Sequence, residues 1–373
     1  MSQIYDTIVI GAGISGCCTA FTLQQKGQKV LLVDRSGVAA SGGSGAAGAF
    51  VSPKIGKGSP LQKLTNEAFY FSKDFYLKHF PDYFHQTGVI RIPKDTEDAE
   101  KFHLYEPFNE AQYRWVAKEE LEKLGIRNCK ESFFFEEAGV CDAPELCNAI
   151  LQQLPFKQFD VAQLIDTDGH WTLFNAQGST LNAKNVVLST GYQNTLFDMR
   201  YMGVRGTWGS RGDYESKLDL KVSMHKSISV SANINGIIKI GATHVKSREP
   251  CRLCDGKPLR TLEEKAARMV NTGDFRLKET FCGMRSGSKD YVPLAGRVID
   301  VPFMFEAYPS IVRGAKPPLK HRENLYVCNG LGGRGFVFAP LMAEWLAESI
   351  VTGKEMDQRV NPDRLFLKWC RKL

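Results

Sequence analysis

An apolar run, Ile8-Val9-Ile10, breaks into Gly11-Ala12-Gly13-Ile14-Ser15-Gly16, and a second apolar run over residues 30–33 ends in Asp34. A helical segment lies between them, so residues 4–34 read as a βαβ unit. Each glycine has its own task. Gly11 makes the tight turn, Gly13 lets backbone approach a pyrophosphate, and Gly16 lets the helix lie close to the sheet. The helix N-terminus presents free N–H groups to an anion. Asp34 stands where a carboxylate accepts ribose hydroxyls and repels a phosphate-bearing ribose. A bare structural turn is the alternative, but the strand before, the helix after and the acid in place favour dinucleotide binding, NAD or FAD.

A chain of 373 residues has room for two domains and a large core. The most apolar helix, residues 336–351, contains Glu344 and Glu348 and reads as too short to span a bilayer. The first ten residues enter a strand directly, without the pattern of a signal peptide. The expectation is therefore a cytoplasmic protein with no membrane span. Ten cysteines show no framework spacing, and Cys251-Arg-Leu-Cys254 has no second ligand pair to complete a zinc site. It reads as an ordinary loop, and no metal is expected. The net charge of +7 is compatible with an anionic macromolecular partner without requiring one.

Small residues fill positions 36–53 directly after Asp34 and Arg35, among them Ser41, Gly42, Gly43, Ser44, Ala46, Ala47 and Gly48. Side chains this small let backbone touch a flat ligand, so cofactor contact is preferred over a flexible linker. Residues 55–59 lack the spacing of a P-loop. Residues 60–79 repeat apolar positions at three and four, as a helix does. Residues 88–93 alternate like a strand, and 104–124 read as helix-rich. This stretch looks like a second domain inserted into the first, and its aromatics, including Phe80, Tyr83, Phe84, Tyr113 and Trp115, read as core. Residues 159–165, 171–175 and 186–188 read as strands, the last delivering Ser189-Thr190-Gly191 to a sheet edge. From Arg205 the chain is strand-rich, with charges such as Lys239, Lys246 and Arg248 expected on a solvated face. A helix over 261–270 is expected to begin with a capping box at Thr261 and Glu264.

Two later stretches carry chemistry. In Gly283-Met-Arg285-Ser-Gly-Ser-Lys289-Asp-Tyr-Val-Pro-Leu-Ala-Gly296 one arginine is framed by small residues. It is either half of a surface salt bridge or a guanidinium fork for a ligand carboxylate. Gly330-Leu-Gly332-Gly333-Arg334-Gly335-Phe336 follows a strand and opens a helix, but no second strand with an acid comes after it. It reads as a helix N-terminus aimed at another part of the same cofactor.

Together these motifs resemble the D-amino-acid-oxidase-like family of FAD-dependent amine oxidoreductases. The resemblance implies a Rossmann-like, doubly wound FAD-binding domain and an α+β substrate domain of mostly antiparallel sheet, interleaved in sequence. The expected division is 1–60, 139–200, 282–300 and 322–373 for the first, and 61–138, 201–281 and 301–321 for the second. It further implies that residues 11–16, Asp34, Arg35, the small-residue loop, Val161, Thr190, Gly191 and the second glycine loop hold FAD noncovalently. Covalent attachment at Cys282 is the less favoured alternative. Within the family, the Arg285 segment and the sequence Gly330 to Ala-Pro340-Leu-Met-Ala-Glu344 look most like the oxidoreductase domain of the MnmC enzymes, which modify the wobble uridine of tRNA. That likeness implies oxidative removal of a carboxymethyl group by way of Arg285 and Arg334. Its expected partners are tRNA as substrate and dioxygen as electron acceptor, with neither DNA nor membrane. The chain begins at the flavin strand, so only the oxidative step is expected of it, which leaves room for a separate methyltransferase partner. A small-molecule glycine, sarcosine or D-amino-acid oxidase that makes hydrogen peroxide is the alternative, and a flavoprotein without turnover a more distant one. Lys316, Lys320, His321, Arg322, Arg364, Lys368, Arg371 and Lys372 are the basic residues that would favour tRNA.

Overall fold

The computed structural model of the protein describes residues 3–167, 169–193, 195–245 and 256–373. Cys251, Cys254, Lys246 and Arg248 lie outside the described residues. Strand β1 (Ile4–Ile10), helix α1 (Ile14–Gln25) and strand β2 (Val30–Asp34) form the expected βαβ unit. β1 pairs in parallel with β2 on one side and with Thr180–Leu188 on the other, and the latter pairs in parallel with His321–Asn329. Val33, Ile10, Leu188 and Val327 therefore stand abreast, and the chain leaves all four strands at one sheet edge. Asp34, Gly11, Ser189 and Gly330 gather there, at the carboxyl ends where open α/β sheets take their ligands.

The pleat sorts β1 into two cores. Val9 joins the buried cluster beneath α1, helix α2 (Pro60–His79) and helix Gly335–Thr352, whereas Ile8 and Ile10 join the cluster on the opposite face with Val298, Ile299 and Phe366. The helix Gly335–Thr352 contains Pro340, which has no N–H to offer the carbonyl of Phe336. Tyr76 Oη donates to that carbonyl at 2.9 Å, and Ser72 Oγ donates to the carbonyl of Val337 at 2.7 Å. The segment Gly332–Thr352 is long and apolar enough to cross a membrane, contrary to the length argument from sequence, but 56% of it is buried inside the protein. It is a core helix, tied to α1 by Lys26 and Glu344 at 2.7 Å.

A second sheet runs in the order Arg276–Gly287, Arg205–Glu215, Ile237–Gly241, Ser229–Val230, Ser223–His225, Val89–Arg91, Ser132–Phe135, Arg114–Val116. Its pairings are antiparallel except between Ser223–His225 and Val89–Arg91. The fold is thus a Rossmann-like α/β part joined to an α+β part of mostly antiparallel sheet. We propose that the two sheets mark the two domains. On that division Arg276–Gly287 stays with the second sheet past residue 282, and Val301, Met304 and Ile311 pack with the first.

Several local expectations shift. Phe159 follows the short strand Phe156–Gln158 rather than starting one, and the next strand is Gln163–Thr167. The stretch expected to be helix-rich contains the strand Arg114–Val116, because Trp115 and its neighbours pair with Phe133 and Phe134. The later helix starts at Lys257 after Gly256, not at Thr261, whose hydroxyl donates back to the Lys257 carbonyl at 3.0 Å. Pro258 sits well in a first turn, which moves the start upstream. Phe80 and Phe84 are buried as expected, whereas Phe108 is exposed.

Candidate active site

One cavity of about 940 Å³ runs along the ligand edge of the first sheet and under the second. At one end lie Asp34, Arg35, Asp160 and Val161; at the other lie Arg285, Arg334, Arg91 and His225. Of the residues singled out from sequence, Gly11, Gly13, Ile14, Ser15, Ser41 to Ser44, Ala47, Gly48, Thr190, Gly191, Gly330, Gly332 to Phe336 and Arg285 also line it. Ala12, Gly16 and Ala46 do not, and their places have physical reasons. Ala12 is buried and donates its N–H to Asp34 Oδ2 at 2.8 Å. A Cβ on Gly16 would lie 1.8 Å from the Gly11 carbonyl oxygen. Gly283 packs against Ala46 from behind, where its own Cβ would meet the alanine's at 3.0 Å.

Gly11, at φ +108°, turns under the Ser189 carbonyl, whereas a Cβ at Gly13 would meet only Ser44 Oγ, at 3.1 Å. The backbone at Gly13 is therefore open to the cavity, as close approach to a pyrophosphate demands. Ser44 Oγ accepts the N–H of Ile14 at 2.9 Å, fastening the small-residue loop to the start of α1. Arg211, fully buried, holds the same loop by donating to the Ala47 carbonyl while pairing with Asp213 at 2.8 Å. Ser189 and Thr190 line the cavity with buried hydroxyls that have no hydrogen-bond partner among the described residues. Buried hydroxyls usually find one. An elongated cavity, an open glycine backbone and orphaned hydroxyls at the strand ends together fit a dinucleotide.

The far end is cationic. Arg285 Nη1 donates to the Thr243 carbonyl at 3.0 Å and lies 3.4 Å from His244 Nδ1. Its guanidinium rests over Gly209, where a Cβ would come within 2.3 Å of it. Burial alone lowers the Arg285 pKa, and among the described residues no carboxylate pairs with it as the surface salt bridge weighed from sequence would require. Burial pushes Arg334 down to about 10, and its Nη1 donates to the Ser52 carbonyl at 3.0 Å. Arg91 is pushed down to about 9 by burial and then by Arg334, and its Nε has no partner among the described residues. Lys54 is lowered by burial, then by Arg334 and Arg91. All remain charged at neutral pH, so this end favours anions. His244, lowered by burial and then by Arg285, is neutral there.

Lys54, Arg91, His225 and His244 were not legible as site residues. Val89–Arg91 reaches the cavity only by pairing with Ser223–His225, which sets Arg91 opposite His225. Only the alternation of residues 88–93 pointed that way. Cys282, considered for a covalent link to the cofactor, is disulfide-bonded. Among the described residues, no group of three or more His, Cys, Asp or Glu is arranged to hold a metal ion.

A family model described as DAO, FAD dependent oxidoreductase, matches residues 6–349. The chain belongs to that family. It is an FAD-dependent oxidoreductase. Curated relatives include the tRNA 5-methylaminomethyl-2-thiouridine biosynthesis bifunctional protein MnmC of Shewanella amazonensis, 26% identical over 98% of this chain and 60% of that protein. The protein of the same name from Stutzerimonas stutzeri is 25% identical over 97% of this chain and 59% of its own length. The chain thus spans about three fifths of the length of the curated relatives it matches. Among solved structures, glycine oxidase from Bacillus cereus superposes with a TM-score of 0.78 at 19% identity, covering 94% of this chain and 96% of that one. Iminodiacetate oxidase from Chelativorans superposes at 0.76 and 17% identity, covering 95% and 98%. These likenesses establish the shared fold.

Proposed function

We propose that the protein oxidises an N-carboxymethyl amine, and that its substrate is the 5-carboxymethylaminomethyluridine of a tRNA wobble position. The observation that carries this reading is Arg285: a mostly buried guanidinium at the cavity wall, without a carboxylate partner among the described residues. A carboxymethyl group supplies the missing partner, and a planar fork grips it in one orientation. Arg334, Arg91 and Lys54 keep the surrounding field positive, and the names of the relatives favour the tRNA substrate. The other assignments of cofactor-contact residues, drawn first from the sequence pattern, are part of the same proposal.

FAD, when bound, supplies the acceptor for the two electrons and the hydrogen removed from the α-carbon. The protein's own part is positioning. Arg285 anchors the carboxylate, and the fixed geometry turns an encounter between partners into a reaction within one complex. Neutral His244, beside Arg285, can take the proton that an ammonium substrate must lose before its carbon is oxidised. Water then adds to the imine carbon and the C–N bond breaks, giving glyoxylate and aminomethyluridine. With dioxygen as final acceptor, one substrate, one water and one dioxygen yield the amine, glyoxylate and hydrogen peroxide.

The test is incubation of the FAD-loaded protein with tRNA carrying 5-carboxymethylaminomethyluridine, and in parallel with glycine, sarcosine and D-amino acids. The expected result is a nucleoside mass change to aminomethyluridine, with glyoxylate released. Peroxide from the free amino acids and an unchanged nucleoside would overturn the tRNA substrate in favour of a small-molecule oxidase. Failure of every amine to bleach the flavin anaerobically would overturn both.

A further inference from the structure

If the substrate is a tRNA, the polynucleotide must rest against the protein outside the cavity. Three of the eight basic residues that the sequence offered for this are already paired with acids at 3.2 Å or closer. Arg364 forks onto Asp290 at 2.9 and 3.0 Å, His321 pairs with Asp363 at 2.9 Å, and Arg322 with Asp300 at 3.2 Å.

Two others of that list, Lys368 and Lys372, gather with further cations near the cavity. Arg200, Arg205, Lys289 and Lys368 surround a depression of about 190 Å³ floored by Tyr201 and Trp369. Lys372 lies close to Lys289, and its charge, then those of Lys368 and Arg205, depresses the exposed Lys289 ammonium. Like charges gathered this closely repel one another unless an anion lies between them. The acids nearby are already engaged: Asp198 is forked by Arg200 at 2.9 and 2.8 Å, and Asp290 by Arg364. The cluster abuts the reaction site. Arg205 is the register partner of Gly287, a cavity residue, and Lys289 lies between Arg285 and Tyr291 in sequence. Tyr291 lines the cavity lip with 78% of its surface exposed.

Resting on the tRNA reading above, we propose that Arg205, Lys289, Lys368 and Lys372 bind the phosphates of the RNA strand on either side of the reacting nucleotide, and that Tyr291 stacks on a neighbouring base. Ammonium groups spaced along a surface suit a phosphate backbone, and an exposed ring at the lip suits an unstacked base. An acidic protein partner offers nothing for that ring.

The test uses the FAD-loaded full chain and a fluorescent anticodon stem-loop RNA carrying 5-carboxymethylaminomethyluridine. Binding is followed by anisotropy from about 50 to 200 mM salt, the range over which phosphate contacts are lost. Lys289→Glu with Lys372→Glu should raise Kd at least about tenfold at the middle of that range. It should also flatten the slope of log K against log salt by about 1.4, two phosphate contacts' worth. Tyr291→Ala should raise Kd by about tenfold, and Tyr291→Phe should restore it. Flavin content and melting temperature monitor folding, and the Lys289→Arg, Lys372→Arg pair should bind as the parent does.

A Kd within about twofold of the parent in the Glu variants, with the salt slope unchanged, overturns the surface. So does competition by polyglutamate as effective as that by RNA of equal charge. If RNA binds through these lysines but is never converted, the tRNA reaction falls and the surface stands. If RNA is converted and the Glu variants bind it normally, the surface falls and the reaction stands.

Discussion

Arg285 offers the sharpest test, because the structure supplies two ways to disable it. In Arg285→Ala the guanidinium is gone. A hydrogen bond to a charged group contributes about 1.5 to 3 kcal/mol, so two parallel bonds to a carboxylate contribute about 3 kcal/mol or more. That is roughly a hundredfold in kcat/KM, at about 1.4 kcal/mol per factor of ten. In Gly209→Ala the guanidinium remains but cannot stay in place. The new Cβ would lie 2.3 Å from Nη2 and 2.5 Å from Cζ, so the group must move. Displacement by roughly 1 Å is enough to cost up to about a hundredfold in a positioned reaction. Both variants should be compared on an N-carboxymethyl amine and on its N-ethyl counterpart, following anaerobic flavin bleaching in a stopped flow. The loss should appear with the first substrate and shrink to a few-fold with the second. Equal losses on both substrates would show that Arg285 does not read the carboxylate, and the proposed chemistry would lose its anchor.

Gly16→Ala forces a Cβ to within 1.8 Å of the Gly11 carbonyl oxygen, so the turn must open. Purified protein should carry little flavin per chain; full flavin occupancy would contradict the role of that contact. Burial alone would raise the Asp142 pKa, but the His85 hydrogen bond and the Lys239 ammonium outweigh it and lower the value below the usual 3.8. A lowered folded value means that the stabilisation is fully present above about pH 3.8 and is lost as pH falls through the lower folded value. Asp142→Asn strands the largely buried Lys239, a loss of about 2 kcal/mol after allowing for partial exposure. Its melting temperature should fall below the parent's at pH 7, and the two should converge in strong acid. A gap that is constant with pH would remove the ion pair as its cause. Finally, His244 protonates below the ordinary 6.5, so kcat/KM should rise with pH through that lower value. The acid limb should disappear in His244→Asn; its persistence would move the proton acceptor elsewhere.

The βαβ unit was legible because its signal is local. Gly11, Gly13, Gly16 and Asp34 lie within one supersecondary unit, and each answers to a backbone or hydrogen-bond requirement that neighbours in sequence impose. The small-residue loop and the Gly330 loop were legible for the same reason, since a strand leading into glycines and then a helix is a short-range pattern. The capping box at Thr261 failed because Pro258, three residues upstream, sets a better start.

Charge was the part that sequence could not decide. Arg364 and Lys368 lie on one helix, yet Arg364 is neutralised by Asp290 from a distant segment while Lys368 shares a depression with Arg205 and Lys289. Arg285 could form a salt bridge or hold a ligand until the second sheet placed Thr243 and His244 beside it, with no acidic partner among the described residues. Coulomb energies depend on distances between residues far apart in the chain, and those distances exist only once the sheets have paired. The sequence by itself determined the βαβ unit and the glycine loops at the edge of the first sheet, because those patterns are local. The tertiary structure decided that cations without an acidic partner among the described residues would wall the cavity, the feature on which the proposal of an anionic substrate rests.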